Sequence, residues 1–362
     1  MKHHLESRLV LDRLAELQRA PIPAALATVV SVRGSAYRHE GAKLLVAADG
    51  STAGNVSGGC LELDVREVAQ QVIASGTARM RNYCSGADQV SAWDLGVGCD
   101  GQVDVFVEPA TDPRRRERAL LDGDLPFAVC TVIESPVANE SRTRMVVTAE
   151  GGEGPLTTTD CGPQVVTAAQ ELIAQEAAPG LHEVAGRSVF VDIFFPPPQL
   201  VVISAGDDAQ PLVRFALDLG FRVTVVDHRP GLLLPERFPG ARLIQSDGTD
   251  LTRRILLDER CHVIIMMHHF AHDAAYLGAV VPTRVAYIGM LGPRQRTERI
   301  LASLGADASD DPRLHGPVGL DIGTDGAEQV ALSVLAEIMA VRSGRAARSL
   351  RERLVPIHAR ND

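Results

Sequence analysis

Seven consecutive residues, Gly54-Asn55-Val56-Ser57-Gly58-Gly59-Cys60, set three glycines and a thiol at the mouth of a predicted helix. Beyond them, Leu61, Val65, Val68, Ala69, Val72 and Ile73 recur at the three-to-four spacing of a helix with one buried face. Cys60 is therefore expected at the helix start. There, unpaired N–H groups and the positive end of the helix dipole favour an anion and a thiolate. The bland alternative is a small buried residue at a tight turn. A second stretch, Leu95-Gly96-Val97-Gly98-Cys99-Asp100-Gly101, repeats the pairing of glycine with cysteine. Lys43, Arg33 and Arg38 are nearby in sequence and are candidates for balancing an anionic ligand.

A different chemistry is suggested further on. Ser204-Ala205-Gly206-Asp207-Asp208-Ala209 follows an apolar strand, where a dinucleotide fingerprint would read GxGxxG or GxGxxA. Gly206 keeps the position that lets a pyrophosphate approach the backbone, and Asp227 stands where a ribose-binding carboxylate is expected. Asp207 and Asp208 argue against phosphate there by like charge. His268, His269 and His272 with Asp273 are either metal ligands or a polar loop at the carboxyl end of a sheet. Gly289-Met290-Leu291-Gly292-Pro293-Arg294-Gln295-Arg296 reads equally as an anion site or as helix-start packing with surface arginines. GxSxG, HExxH and GxxxxGK[ST] are all absent from the sequence.

These residues need elements to hold them. The chain has 362 residues, 45% of them hydrophobic, enough for two or three packed domains. The six cysteines form no CxxC pair, and residues 1–20 lack an apolar signal core. A reducing cytoplasm is the simplest expected home. No apolar run approaches the roughly 18–20 residues of a membrane span. The formal charge of -10 argues against broad nucleic-acid binding. The arginine-rich tail, 346–362, reads as a solvated helix end.

The periodicity predicts an α/β protein. Its N-terminal α+β region, 1–195, contains two repeat units, 20–110 and 125–195. In the first, the predicted elements are a helix over 4–19, strands over 25–32 and 43–48, the helix from Cys60, and strands over 78–83 and 102–108. Ala27-Thr28-Val29-Val30 matches Cys130-Thr131-Val132-Ile133, and Leu44 to Gly50 matches Met145 to Gly151, at offsets of 103 and 101 residues. The second unit keeps only Asp160-Cys161-Gly162 before its helix, so a fold that can be built without the glycines and Cys60 leaves them to function. Pro196-Pro197-Pro198 marks a boundary. Over 199–345, apolar strands alternate with helices, which predicts a Rossmann-like, doubly wound parallel sheet.

Taken together, several motifs resemble the family of xanthine dehydrogenase accessory proteins, the XdhC and CoxI family. They are Thr28 to Ser35, Gly41-Ala42-Lys43, Ala53 to Glu62, Leu95 to Cys99, Gly206 to Leu212, Val225 to Arg229, Tyr287 to Arg294 and Pro317 to Gly323. The resemblance implies a chaperone that holds the molybdenum cofactor, as molybdopterin or its cytidine dinucleotide form, while a cysteine desulfurase supplies the terminal sulfido ligand. Delivery to the large subunit of a molybdenum hydroxylase is implied to follow. On that reading Ser57, Gly58, Gly59 and Cys60 bind the cofactor, Cys60 as a molybdenum contact, with Gly98 and Cys99 as a second thiol loop and no catalytic residue. Gly206 and Asp227 would hold a nucleotide, whether part of the cofactor or NAD(P). The chain departs from the family pattern at Ser204, at Asp207-Asp208 and at Asp100. The main competing expectation is an NAD(P)-dependent oxidoreductase that uses the second domain. A third is an interaction module, and a homodimer is expected in either case.

Overall fold

The computed structural model describes residues 2–34, 36–84, 102–111, 114–138, 140–305 and 311–353. Gly98 and Cys99 lie outside the described residues. The chain divides into two compact units, one running from Lys2 to Pro196 and the other beginning at Pro197.

The first unit uses one element order twice. Helix α1 (Lys2–Arg19) precedes β1 (Ala24–Arg33), β2 (Lys43–Ala47), β3 (Thr52–Gly54), α2 (Glu62–Ser75), β4 (Arg79–Cys84) and β5 (Gln102–Pro109). Then α3 (Arg115–Leu121) precedes β6 (Phe127–Glu134), β7 (Arg144–Thr148), β8 (Gly151–Glu153), α4 (Gly162–Ala174), β9 (Gly180–Val184) and β10 (Arg187–Phe194). The two antiparallel sheets have matching strand orders, β3-β2-β1-β5-β4 and β8-β7-β6-β10-β9. Strands β3, β8 and β9 and helix α3 are too short or too polar to stand out by periodicity.

Alternation within the strands explains the layering. In β1 and β2, Ala25, Ala27, Val29, Leu44 and Val46 pack with Val65, Val68, Ala69 and Val72 of α2. The opposite face sends Leu26 and Leu45 against Phe127, Val129, Val146 and Phe194 of the second sheet, with Val10, Leu11, Leu14 and Leu17 of α1. Helix α4 covers the outer face of that second sheet through Val165 and Ala169. Each inner strand thus has both faces buried, so its apolar residues run nearly unbroken.

Strand register fixes the equivalences between the halves. Lys43 pairs with Thr28 and Arg144 with Thr131, while Leu26 pairs with Glu108 and Val129 with Asp192. Lys43 therefore corresponds to Arg144, and Glu108 to Asp192. The equivalent residues make reciprocal buried ion pairs between the sheets. Lys43 Nζ lies 2.5 Å from Asp192 Oδ2, and Arg144 Nη2 lies 3.5 Å from Glu108 Oε2. All four are buried or nearly so, and Arg114 adds a further donor to Glu108 at 2.5 Å.

The second unit is a parallel sheet in the order β13-β12-β11-β14-β15-β16. Its strands are β11 (Gln199–Ile203), β12 (Arg222–Asp227), β13 (Arg242–Gln245), β14 (Cys261–Ile265), β15 (Tyr287–Met290) and β16 (Leu314–His315). Every neighbouring pair is parallel. This is the doubly wound order 3-2-1-4-5-6, and the unit is Rossmann-like. Helices α5 (Ala209–Leu219), α6 (Leu251–Arg254), α7 (Phe270–Val280), α8 (Arg294–Leu304) and α9 (Ala327–Arg342) connect and cover it. The two apolar cores on its faces share no residue: Val201, Ile203 and Val263 enter one, and Leu200, Val202 and Ile264 the other.

Candidate functional site

Helix α2 begins at Glu62, with Leu61 as its cap, so the helix starts two residues later than the apolar spacing predicts. Residues 56–61 form an irregular turn instead, because four of their amides, those of Val56, Ser57, Gly59 and Leu61, are bound by side chains. Val56 and Ser57 donate their N–H groups to Glu62 Oε1 at 3.3 and 2.8 Å, and the Ser57 hydroxyl donates to Glu62 Oε2. The same hydroxyl oxygen accepts the amides of Gly59 at 3.1 Å and Leu61 at 3.0 Å. Among the described residues, the amides of Gly58 and Cys60 have no hydrogen-bond partner. Among the described residues, the donors this turn still offers to an external anion are therefore the Gly58 and Cys60 amides. Glu62 and Asp64 already place two carboxylates in the first turn, where the dipole favours them.

Ser57 is buried, Gly58 and Gly59 are exposed, and Cys60 is a free, half-buried thiol packed against the α2 core. Gly54, by contrast, is a requirement of the backbone. Its φ is +82°, and an added Cβ would lie 2.2 Å from the Lys43 carbonyl oxygen. At Gly59, with φ +117°, an added Cβ would meet nothing within 4 Å. The Tyr37 ring stands 3.4 Å from where a Gly58 Cβ would be, and Tyr37 is 68% exposed. Burial alone would raise the Glu62 carboxyl, but hydrogen bonds from Ser57 and Val56 outweigh it and hold the group below its usual range. Glu62 is part of the apolar-helix stretch, and the signal for its role was a serine followed five residues later by a first-turn acid.

The second sheet builds the equivalent turn differently. Val65 and Val165 donate to the carbonyls of Leu61 and Cys161, so Cys161 corresponds to Leu61 and Asp160 to Cys60. The residue equivalent to Cys60 in the second copy is thus an aspartate. Thr158 and Thr159 stand in place of Gly58 and Gly59, and Pro155–Thr158 forms a short 3-10 helix. Cys161 is fully buried. Glu140, Asp160 and Cys161 bring three metal-type ligand atoms together, yet Arg187 donates to Glu140 at 2.9 Å and to Asp160 at 2.6 Å. A single guanidinium already binds both carboxylates of that group.

Two of the cations proposed near Cys60 are committed elsewhere. Lys43 is held by Asp192, and Arg38 donates to Glu6 at 2.9 Å. Arg33 is exposed, 3.9 Å from Asp104.

In the Rossmann-like unit, Gly206 donates to Ser204 Oγ at 3.0 Å, which explains the serine at the fingerprint's first position. A Cβ on Gly206 would meet Asp208 Oδ1 at 2.6 Å. Asp208 faces His268 Nε2 at 2.7 Å, and Asp207 accepts from Arg237 at 2.6 Å. Asp227 is fully buried. It takes four hydrogen bonds, from Ala205 N, Arg229 N, Arg229 Nε and Arg229 Nη2, at 2.7–2.9 Å. That fills a carboxylate's capacity of about four acceptor sites. The expected ribose contact thus has no acceptor free in this conformation. His228 stacks on His272 at 4.1 Å, and His269 tilts against it at 4.7 Å. Among the described residues, these rings bring no three ligand atoms together, whereas Asp273 accepts from Met267 N at 3.1 Å and from Arg296. Arg296 is therefore an internal partner, which favours the packing reading of the 289–296 stretch.

A two-unit chain of this kind, with a doubled α+β unit ahead of a Rossmann-like one, defines a distinct class. Residues 200–338 match the model of the XdhC Rossmann domain, and residues 17–83 that of the XdhC and CoxI family. A protein of Bacillus subtilis (strain 168) described as a probable xanthine dehydrogenase subunit is 31% identical over 92% of this chain and 96% of its own length. The molybdenum cofactor insertion chaperone PaoD of Escherichia coli (strain K12) is 26% identical over 93% and 89%. The crystal structure of a xanthine dehydrogenase from Bacillus halodurans superimposes with a TM-score of 0.76 at 30% identity, covering 94% of this chain and 98% of that one. The chain belongs to the XdhC and CoxI family.

Proposed function

We propose that this protein is an accessory factor of molybdenum enzymes that binds the molybdenum cofactor as cargo at the Ser57–Cys60 turn. Family membership and the likeness to a chaperone that inserts this cofactor support a maturation role. The observation that carries the site is the contrast between the two sheets. One fold, built twice, has Thr158, Thr159 and a paired Asp160 in one copy, and Gly58, Gly59 and a half-buried thiol in the other. The fold does not require the second set.

The cargo is a pterin dithiolene with a phosphate and an oxo-molybdenum centre. The Gly58 and Cys60 amides suit its oxygen atoms, and the soft sulfur of Cys60 suits molybdenum or its sulfur. Gly58 and Gly59 add no side chain to block approach. Arg33 offers an exposed positive charge. Cys99 and Gly98 complete the proposal as a second thiol loop. A cysteine desulfurase supplying sulfur, a hydroxylase large subunit receiving the cofactor, a homodimeric state and a cytoplasmic location belong to the same reading. Among the described residues, no helix is long and apolar enough to cross a membrane.

The test is retention of the cofactor by the purified protein after desalting, with molybdenum counted per chain. Cys60→Ala is expected to lose most of it. Cys161→Ala, which alters a fully buried cysteine, should keep it. Equal retention by both would remove Cys60 from the site. Micromolar NAD(P)H binding with no cofactor retained would instead favour the oxidoreductase.

A further inference from the structure

The turn that carries Cys60 is held from inside by one carboxylate. Glu62 Oε1 takes the amides of Val56 and Ser57, and Oε2 takes the Ser57 hydroxyl. That hydroxyl in turn holds the amides of Gly59 and Leu61, the residues on either side of Cys60. Charge-assisted hydrogen bonds of this kind are roughly twice as strong as neutral ones. The thiol is therefore fixed between two anchored neighbours. Its own amide and that of Gly58 are left without partners among the described residues.

The second sheet lacks this clamp. Glu62 and Gly162 both open their helices, and an added Cβ at Gly162 would lie 2.7 Å from the Leu156 carbonyl oxygen, so no carboxylate can stand there. Threonine hydroxyls tie that turn instead, Thr157 to the Gly154 carbonyl at 2.6 Å and Thr159 to the Leu156 carbonyl at 2.8 Å. The carboxylate clamp and the thiol occur together, in the same copy.

We propose that Glu62 is the positioning residue of the site: acting through Ser57, it sets the Gly58–Cys60 turn in the one shape that offers the Cys60 sulfur and the Gly58 and Cys60 amides to a single ligand. This extends the cofactor-binding reading, on which the ligand's identity rests. Glu62 itself touches no ligand.

The experiment uses the full chain with Glu62→Gln, Ser57→Ala and Ser57→Thr. Asp64→Asn serves as control, because Asp64 lies in the same helical turn but bonds Arg81 and Tyr83 rather than the Gly-rich turn. Iodoacetamide modification at Cys60 is timed by peptide mass spectrometry, and cofactor retention is measured separately. Glu62→Gln and Ser57→Ala are expected to speed modification at least about fivefold, the equivalent of one hydrogen bond, while shortening retention. Ser57→Thr restores both, and Asp64→Asn moves neither. Modification at the wild-type rate in Glu62→Gln overturns the proposal, as does an equal change in Asp64→Asn. If the wild type retains no cofactor yet Glu62→Gln still speeds modification, the positioning role stands and the cargo assignment falls.

Discussion

At the scale of single residues, the two glycines nearest the thiol differ from the one that opens the turn. Gly54→Ala places a Cβ 2.2 Å from the Lys43 carbonyl oxygen, on a left-handed backbone. It should therefore cost more than the roughly 1–2 kcal/mol of left-handed strain alone, read as a lower denaturant midpoint. Gly59→Ala meets no neighbouring atom, so its loss should stay near the strain itself, about 1–2 kcal/mol, while cofactor retention falls more than stability. Equal stability losses for the two would contradict this division. The sequence pointed to Gly58, Gly59 and Cys60 directly, since glycines beside a cysteine before an amphipathic helix are visible in one dimension. It did not place the helix start, which moved to Glu62 because Ser57 and the Glu62 carboxylate took the amides that a helix would have used.

At the scale of elements, the reciprocal ion pairs define how the two sheets lock. Burial alone would raise the Asp192 carboxyl, and the Lys43 and His3 charges and hydrogen bonds hold it below its usual range. Asp192→Asn leaves the buried Lys43 ammonium without its carboxylate, and Lys43→Met leaves the Asp192 carboxylate to the His3 ring at 2.8 Å; each should cost about 3–5 kcal/mol by denaturant unfolding. The double variant should recover much of that loss, since neither charge remains. A simple sum of the two single losses would contradict the pairing. The nearly unbroken apolar runs of β1, β2, β5 and β6 were readable from sequence because both faces of these strands are buried. The ion pairs were not readable. Lys43 finds its partner 149 residues away, and nothing local distinguishes it from a lysine facing a ligand.

At the scale of the whole molecule, the Rossmann-like unit was legible as apolar strands alternating with helices. Its ligand preference was not, because the fingerprint turn and Asp227 are satisfied by this chain's own side chains. That unit also carries a built-in acid sensitivity. His262, on β14, is 1% exposed, and burial, reinforced by the Arg342 charge, pushes its pKa down to about 4. The folded state then resists a proton that the unfolded chain accepts below about pH 6.5. Stability should fall by up to roughly 3 kcal/mol as pH drops from 6.5 towards 4, a contribution fully present only above that range. His262→Asn should be less stable at pH 7.5 yet show a flatter pH dependence of unfolding. An unchanged slope would show that other groups set it.

A handover measurement tests the Ser57–Cys60 turn as the cargo site most directly. Wild type and Cys60→Ala are each incubated with molybdenum cofactor, separated from the unbound excess, and mixed with an apo-hydroxylase whose molybdenum content and activity are then followed. Wild type is expected to carry the cofactor through the separation and to activate the apoenzyme, while Cys60→Ala, equally folded, arrives nearly empty and activates little. If neither protein carries cofactor, or if Cys60→Ala delivers it as well as wild type, the Ser57–Cys60 turn is not the cargo site.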